Sequence, residues 1–295
     1  MRFNFILPFL LSILFISCTR QQSPADQPKE KDSLVLKNSE EPRVQLKNTL
    51  VHPITSAFTK TGYDIYISYP DSFKMSGKKY PLLVVLDAEV NFGAVKYIAE
   101  RLIKDKLIPP LIIAGIAYRG ETEEDIYYAI RSRDLTPTSD PEKQFRLGTG
   151  GAENFVKFIS DELFPYLFNN FPIQQESKSL YGHSFGGLFG THVLLHHPKM
   201  FDNYLLLSPS LWWNKQAIMQ NVQLDSSITS QHIKLYFASG SLENGIAGDQ
   251  LEMVSILKKL NSKNLTLKSE ILDNETHRTV FGRGFTNALR FVFSK

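Results

Sequence analysis

Runs of hydrophobic residues alternate along the chain with segments of helical periodicity. The segment 63–70, YDIYISYP, alternates apolar and polar positions, which predicts a half-buried strand. The segments 80–89 and 109–118 each hold a continuous run of branched apolar residues, the pattern of strands that are buried on both faces of a parallel sheet. Between these two segments, 91–105 has apolar residues at helical spacing.

Alternating strands and helices continue to the C-terminus. The segment 151–168 is amphipathic, with Val156, Ile159 and Leu163 on one face of the predicted helix. Further strands are predicted at 178–181, 204–208, 233–238 and 265–272, and further helices at 186–197, at 249–261 and from about 284. This order indicates right-handed βαβ units around a mostly parallel sheet. We therefore predict a single-domain α/β fold, with its function at the carboxyl ends of the strands.

The N-terminus has the pattern of a secretory signal. A basic start is followed by an apolar run from Phe3 to Ile16, which is too short for a comfortable transmembrane helix. Cys18, the only cysteine in the chain, lies where cleavage would occur, and FISC resembles a bacterial lipobox, whose cysteine is lipidated. We predict a signal peptide at 1–17 and lipidation of Cys18. An ordinary signal peptide that contains a cysteine by chance is the alternative.

The segment that follows Cys18 is polar as far as residue 48. It is rich in Lys, Glu, Gln and Ser and contains three prolines, so it cannot bury enough apolar surface to fold. We predict that 18–48 is a lipidated cysteine with a tether, and that 49–295 is the folded domain. This organisation predicts secretion across the inner membrane and lipid anchoring in the cell envelope.

Composition narrows the class of protein further. Hydrophobic residues make up 42% of the 295 residues, which is enough for one large domain. The net charge is +3 and the basic residues are dispersed, so we expect no nucleic-acid partner. Clusters of His, Cys or Asp with metal-ligand spacing, phosphate loops and dinucleotide fingerprints are absent from the sequence. We therefore expect neither a metal nor a cofactor.

A glycine-rich pentapeptide surrounds one serine between a predicted strand and a predicted helix. Gly182-His183-Ser184-Phe185-Gly186 matches the pattern G-x-S-x-G. In a nucleophile elbow the serine has a strained backbone conformation, so small residues are needed two positions before and after it. We predict that Ser184 is a nucleophile. A glycine-rich bend with an incidental serine is the alternative.

A serine hydroxyl needs a base to take its proton. In hydrolases of this architecture the acid and then the histidine follow the serine along the chain. Three later histidines belong to the helix after the elbow or to its end: His192, His196 and His197. His232 precedes a strand, which is the wrong end of the sheet. His277 lies in the polar loop after the strand 265–272 and is the predicted base.

The loop after the strand 233–238 offers two carboxylates for the acid. Glu243 lies just beyond the strand, where it would orient the imidazole and stabilise the imidazolium that forms. Asp249 is the alternative acid, but it lies in the first turn of a predicted helix, where capping is its expected role. We predict Glu243.

Ester hydrolysis also needs donors for a developing oxyanion. The backbone N–H of Phe185, directly after the nucleophile, is one predicted donor. The other is expected in the loop after the strand that ends near residue 86, at either Ala88 or Glu89.

Five segments occur in an order that resembles a known family. LLVVLDAEVNF, YGHSFGG, SPSLWW, SGSLEN and ETH are similar to the putative-esterase branch of the α/β-hydrolases, which includes enterobactin-type trilactone siderophore esterases and, more distantly, mycolyltransferases and S-formylglutathione hydrolases. The resemblance extends from about residue 50 to the C-terminus and implies an α/β-hydrolase fold. In that branch the residue after an Asp-Gly pair donates the oxyanion amide, which selects Glu89. This chain has Asp87-Ala88 in place of that pair.

The same resemblance implies that Trp212 and Trp213 flank the substrate pocket, with core packing as the alternative. Tyr118 and Arg119 follow the carboxyl end of a strand and are further candidates for substrate contact. Arg131 and Arg133 could hold an anionic or polar acyl group, although we favour a structural salt bridge.

The predicted activity is hydrolysis of a small-molecule carboxylic ester by Ser184, Glu243 and His277 through an acyl-enzyme, as in siderophore esterases. Three alternatives remain. They are an esterase that acts on acetylated or feruloylated glycans, an acyltransferase with the same triad, and a non-catalytic binding lipoprotein on a hydrolase scaffold.

Overall fold

The computed structural model describes residues 45–71, 77–120, 124–143, 145–220, 222, 232–260 and 262–293. The fold reported below is that of Leu46–Lys295, which forms one compact unit. The predicted signal peptide, Cys18 and all but the last residues of the predicted tether lie outside the described residues. Within the described ranges, the helices are all too short or too polar to cross a membrane.

Eight strands of the described chain form one sheet, in the order β1-β2-β4-β3-β5-β6-β7-β8. The strands are β1 Thr49–Thr55, β2 Gly62–Ser68, β3 Tyr80–Val85, β4 Ile112–Tyr118, β5 Ile173–His183, β6 Asn203–Leu207, β7 Ile233–Gly240 and β8 Leu265–Leu272. The pairs β1–β2 and β2–β4 are antiparallel, and the other pairs are parallel. The predicted α/β fold with a mostly parallel sheet is therefore confirmed.

Helices cover both faces of this sheet. They are α1 Ala88–Lys104, α2 Glu124–Leu135, α3 Ala152–Lys157, α4 Phe164–Asn170, α5 Phe185–His196, α6 Trp213–Gln216, α7 Ile246–Lys259 and α8 Val280–Phe293. Buried side chains of α1 and α8 pack on one face, and those of α2, α3, α4, α5 and α7 pack on the other. Because both faces are covered, every residue of β3, β4 and β6 is buried, which explains their continuous apolar runs.

The structure departs from the predicted elements where local pattern was weak. β1 and α2 were not predicted, because β1 contains a proline and α2 mixes equal numbers of polar and apolar residues without a clear apolar face. β5 is longer than the predicted strand, and α8 begins about four residues before the predicted helix. The predicted helix over 151–168 contains a π-helical segment, Phe158–Leu163. Pro165 explains it, since proline has no N–H to donate and its ring clashes with the carbonyl four residues earlier.

Candidate active site

Ser184 lies at the sharp turn between β5 and α5. Its backbone has φ 60° and ψ −118°, a conformation that few residues other than glycine adopt. A Cβ atom at position 182 would lie 2.2 Å from the carbonyl oxygen of Gly186, so only glycine fits there. The predicted strand–turn–helix context of G-x-S-x-G is what the structure shows.

The end of β6 and the segment after it form hydrogen bonds with this turn. The N–H of Ser184 donates to the carbonyl of Leu207 at 3.0 Å, and the carbonyl of Ser184 accepts from the N–H of Ser210 at 3.1 Å. The two hydroxyl oxygens, Ser184 Oγ and Ser210 Oγ, are 3.3 Å apart. The conformation of the turn therefore depends on the neighbouring strand as well as on its own glycines.

Glu243 and His277 are hydrogen-bonded to each other. Glu243 follows β7, His277 lies between β8 and α8, and Glu243 Oε2 is 2.7 Å from His277 Nδ1. The other carboxylate oxygen, Oε1, accepts from Ser208 Oγ and from the N–H of Gly240, each at 2.6 Å. The Glu243 side chain is only 1% exposed, whereas that of His277 is 39% exposed.

These contacts keep the Glu243 carboxylate charged. Burial by itself would raise the pKa of Glu243, but the hydrogen bonds with His277, Ser208 and the Gly240 amide outweigh burial and lower the pKa. A charged carboxylate on Nδ1 fixes the imidazole orientation and leaves Nε2 as the nitrogen that can accept a proton. Ser208, the first residue of the SPSLWW segment, is thus part of the site, a role that the sequence analysis missed.

The hydroxyl of Ser184 is not hydrogen-bonded to His277 in the part of the chain that the structure describes. Among the hydrogen bonds of the described residues, Ser184 Oγ pairs with Ser210. The turn at Ser184 is instead connected to the Glu243–His277 pair through His183, the residue before the serine. His183 Nε2 donates to the carbonyl of His277 at 2.7 Å, and the centroids of the two histidine rings are 4.5 Å apart. Catalytic hydrogen bonds are often absent or long in ligand-free sites, so this geometry is compatible with a Ser–His pair.

His183 is the second residue that the sequence analysis missed. Burial, followed by the nearby His277, lowers the pKa of His183 to about 4, so the ring is neutral near pH 7. A neutral ring with its proton on Nε2 can donate to one carbonyl, and here that carbonyl belongs to the predicted base. His183 therefore fixes the backbone position of His277 relative to the elbow.

The alternative acid, Asp249, has a different partner. Its Oδ1 accepts from Gln216 Nε2 at 2.7 Å. The predicted capping role is wrong, because α7 begins at Ile246 with Gly245 at its N-cap, and Asp249 is the fourth residue of the helix.

Both predicted oxyanion donors lie in the first turn of a helix. Phe185 is the first residue of α5, and Glu89 is the second residue of α1, which begins three residues before the predicted helix. The N–H groups in a first turn have no acceptor within their own helix, and the helix dipole favours an anion there. Because β3 and β5 are adjacent and parallel, the two helix N-termini lie at the same end of the sheet.

The Asp87-Ala88 pair, which departs from the Asp-Gly pattern, is accommodated by its surroundings. Asp87 has φ 53°, and Ala88 is buried. A Cβ atom on Gly115 of β4 would lie 2.7 Å from Ala88 Cβ and 2.9 Å from the Phe92 ring, so glycine at 115 makes the space that the alanine fills.

Arg131 forms the salt bridge that we favoured from the sequence. Its Nε and an Nη atom lie 2.7 and 2.8 Å from the two carboxylate oxygens of Asp87. The same guanidinium donates to the carbonyl of His183 at 3.2 Å and lies 5.4 Å from the centre of the Phe185 ring. Arg131 is buried, so it connects the loop after β3 to the elbow rather than binding a ligand.

Of the two tryptophans that were predicted to flank the pocket, one is at the surface and the other is in the core. Trp212 is 40% exposed, and its ring centroid lies 6.1 Å from that of Phe185. Trp213 is 1% exposed and its Nε1 donates to the carbonyl of Thr138 at 3.0 Å. The predicted pocket-flanking role is therefore open to Trp212, whereas for Trp213 the core-packing alternative is the correct one.

Tyr118 and Arg119, the other predicted substrate contacts, each have partners within the protein. Tyr118 is buried against the rings of Tyr63 and Tyr127. Arg119 donates to Asp64 Oδ1 and to the carbonyl of Tyr63, each at 2.8 Å. Both side chains stabilise the antiparallel edge of the sheet.

The mostly parallel sheet with a serine at the β5–α5 turn defines an α/β-hydrolase. The family profile described as putative esterase matches residues 56–287, and the chain therefore belongs to the putative-esterase family. The predicted family is confirmed.

Characterised relatives match nearly the whole chain. It is 32% identical over 265 residues to the ferri-bacillibactin esterase of Bacillus subtilis, a match that covers 84% of this chain and 90% of that protein. The structure of the BES protein from Bacillus cereus has a TM-score of 0.71 and 27% identity, and the match covers 87% of this chain and 100% of that one. An IroE-like serine hydrolase from Shewanella oneidensis has a TM-score of 0.70 and 26% identity, with coverage of 83% and 80%.

The contacts of Glu243 and Asp249 predict that replacing each carboxylate by an amide will affect kcat very differently. In Glu243→Gln, the amide oxygen can still accept from Ser208 and Gly240, but its NH₂ group faces His277 Nδ1 and favours the wrong tautomer. We expect kcat for a p-nitrophenyl ester to fall by up to about 10⁴-fold with little change in substrate binding. Asp249→Asn is the matched control, and its kcat should stay within about twofold, because Asn can still accept from Gln216. Equal losses in both variants would contradict the assignment of Glu243.

The contact between His183 and the His277 carbonyl predicts a positioning effect. His183→Leu removes the donor, and we expect kcat to fall by roughly 10- to 100-fold, as for a catalytic group displaced by about 1 Å. His183→Gln can still donate from its side-chain amide and should recover most of this loss.

The buried, neutral His183 also predicts an effect on the pH dependence of stability, which the variant His183→Gln can test. Between pH 6.5 and about 4, the unfolded chain protonates His183 while the folded chain does not, so this residue makes stability fall as pH decreases. Thermal melts at pH 7 and pH 5 should therefore show a smaller pH dependence for His183→Gln than for the wild type. Identical pH dependence, or equal activity losses in the Leu and Gln variants, would show that His183 does not have this role.

Proposed function

We propose that this esterase is a serine hydrolase of ester-linked siderophores, with Ser184, His277 and Glu243 as its catalytic triad. The observation that carries the proposal is the buried Glu243–His277 hydrogen bond beside the strained turn at Ser184. The Bacillus subtilis relative, named a ferri-bacillibactin esterase, supports the substrate class, and the Shewanella neighbour, named an IroE-like serine hydrolase, supports the nucleophile.

The proposed reaction begins when the Ser184 hydroxyl turns from Ser210 towards His277 Nε2. As Oγ attacks the ester carbonyl, Nε2 accepts the hydroxyl proton, and the charged Glu243 stabilises the imidazolium that forms. His277 then donates that proton to the leaving alkoxide, and the C–O bond of the ester breaks. A water molecule, deprotonated by His277, hydrolyses the acyl-enzyme and regenerates the hydroxyl of Ser184.

In each tetrahedral intermediate, the negative oxygen accepts hydrogen bonds from the N–H groups of Phe185 and Glu89. The first turns of α5 and α1 carry these groups, so the dipoles of two helices act on the same charge. Removing one oxyanion donor typically costs about 10²- to 10³-fold in kcat, so this arrangement accounts for a large share of the catalysis. The proposed chemistry uses protein groups and water.

Substitution of the nucleophile is the first test. Ser184→Ala should lower kcat by about 10⁴- to 10⁶-fold while the thermal melt is preserved, because a small side chain at a half-buried turn is replaced by a smaller one. A fluorophosphonate probe should label the wild type at one site and leave Ser184→Ala unlabelled. Ser160→Ala, in the π-helical segment, is the matched control and should keep activity and labelling. More than a tenth of wild-type turnover in Ser184→Ala would contradict the mechanism.

A substrate panel tests the proposed class separately. We expect hydrolysis of an iron-loaded trilactone siderophore to exceed that of acetylated xylan and feruloyl esters in kcat/KM, measured by chromatography of the products. Faster turnover of the glycan esters would instead support a glycan esterase. Transfer of the acyl group to an added alcohol would support an acyltransferase, and absence of turnover on every ester would support a binding lipoprotein.

We also propose that the protein is secreted and anchored by a lipid on Cys18. The support is the sequence pattern of residues 1–18, which lies outside the described part of the chain. In a bacterial host, wild-type protein should incorporate labelled fatty acid and sediment with membranes, whereas Cys18→Ala should incorporate none and be released. Equal membrane sedimentation of the two proteins, without label in either, would exclude lipid anchoring.

A further inference from the structure

Two histidines and a glutamate converge at the end of α5 that is opposite to the nucleophile. His192 Nε2 lies 2.7 Å from Glu153 Oε1, and His197 Nε2 lies 3.1 Å from each carboxylate oxygen of Glu153. One ligand atom from each residue can be chosen so that all three lie within 4.8 Å of one another. Glu153 belongs to the first turn of α3, so the cluster joins two helices.

We propose that His192, His197 and Glu153 form a binding site for a zinc ion. Neither the family assignment nor the proposed catalysis uses these residues. The sequence analysis expected no metal, because Glu153 is 39 residues from His192 and the spacing of such a set cannot be recognised along the chain.

The type and number of ligands fit Zn²⁺ better than a hard cation. Zinc is commonly bound by imidazole nitrogens and carboxylate oxygens at about 2.0–2.2 Å in tetrahedral geometry, whereas Mg²⁺ and Ca²⁺ prefer oxygen ligands alone. Ligand atoms around such an ion are about 3.3 Å apart. Separations of 2.7 and 3.1 Å therefore need to open by about 0.6 and 0.2 Å.

The burial and charge of the cluster also favour a cation. The His192 side chain is 9% exposed, that of His197 is 33% exposed, and that of Glu153 is 56% exposed, so the ion would enter from the solvent side. A fourth position remains for water on that side. His197 is the C-cap of α5, where the partial negative charge of the helix dipole attracts a cation.

A zinc ion at this position would link α3 to the C-terminal end of α5. Ser184 lies eight residues before His192 on the same helix, about 12 Å away along its axis. At that distance the ion cannot contact an ester bound at Ser184. We therefore expect the metal to stabilise the fold and not to take part in the reaction, so this inference does not depend on the proposed function.

The test uses full-length protein without a polyhistidine tag, treated with EDTA and then dialysed. Titration of Zn²⁺ against a chromogenic chelator should reveal one site, and Co²⁺ in its place should give the visible absorption of a tetrahedral complex. At about 100 times Kd, Zn²⁺ should raise Tm by roughly 5 to 10 °C, because a ligand that binds only the folded state stabilises it. Equal concentrations of Mg²⁺ or Ca²⁺ should have no effect on Tm.

Variants assign the site to its residues. Loss of a residue that only supports a ligand weakens metal binding by about 10- to 100-fold, so His197→Gln and Glu153→Gln should each weaken Zn²⁺ binding by at least that factor. His196→Gln is the matched control, since His196 is exposed on the same helix and its nitrogens are not part of the cluster; its Zn²⁺ affinity should equal that of the wild type.

Three outcomes would overturn the proposal. They are the absence of a stoichiometric Zn²⁺ site in the wild type, unchanged affinity in both His197→Gln and Glu153→Gln, and an equal loss of affinity in His196→Gln. Cys18→Ala must bind Zn²⁺ as the wild type does, because zinc held by that thiol would also contradict the proposed ligand set.

Discussion

The turn at Ser184 brings β5 and α5 so close together that the rest of the site has to be built around it. A side chain at position 182 would collide with the backbone of Gly186, and the strained conformation of Ser184 persists only because surrounding groups hold it. Those groups are the carbonyl of Leu207, the last residue of β6, and the N–H of Ser210 in the segment after β6. Strain at Ser184 is thus balanced by hydrogen bonds from β6 and the segment after it, and that segment also supplies Ser208 to hold Glu243.

Two buried carboxylates flank the turn and have different tasks. Asp87, paired with Arg131, fixes the loop that presents the Glu89 amide, and Glu243 fixes His277. A buried ion pair contributes little net stability, because desolvation offsets much of the attraction, but removing one partner leaves an uncompensated charge. We therefore infer that both carboxylates serve mainly to position the groups that they bind, and contribute little to the free energy of unfolding. Arg131 links the two halves of the site because its guanidinium also donates to the carbonyl of His183, next to Ser184.

Local pattern was sufficient to predict the elements that carry the site. The continuous apolar runs of β3 and β4 follow directly from burial on both faces, and the elbow follows from the spacing of its glycines. The position of His277 was predictable because only one later histidine follows the carboxyl end of a strand. Pro165 was a visible signal for the π-helical segment that we did not use.

The supporting contacts could not be predicted, because they join residues that are distant in sequence. Ser208 and Glu243 are 35 residues apart, Asp87 and Arg131 are 44 apart, and the contact from His183 to His277 spans 94 residues. The same limit explains Trp212 and Trp213, neighbours in sequence with different exposures, since the partners that bury Trp213 include Thr138 and Phe145, which are distant in sequence.

Helix α5 shows why rigidity at the site does not require a helix of high intrinsic stability. Ten of its twelve residues are buried, and two of them, Gly187 and Gly190, each lower helix propensity by about 1 kcal/mol relative to Ala. A Cβ atom on Gly187 would lie 2.8 Å from Pro209, and one on Gly190 would lie 2.3 Å from the Leu206 side chain. The glycines therefore let the helix lie directly against β6. Close packing against the sheet, rather than propensity, sets how deep the N-terminus of the helix sits and hence where the N–H of Phe185 and the hydroxyl of Ser184 are presented.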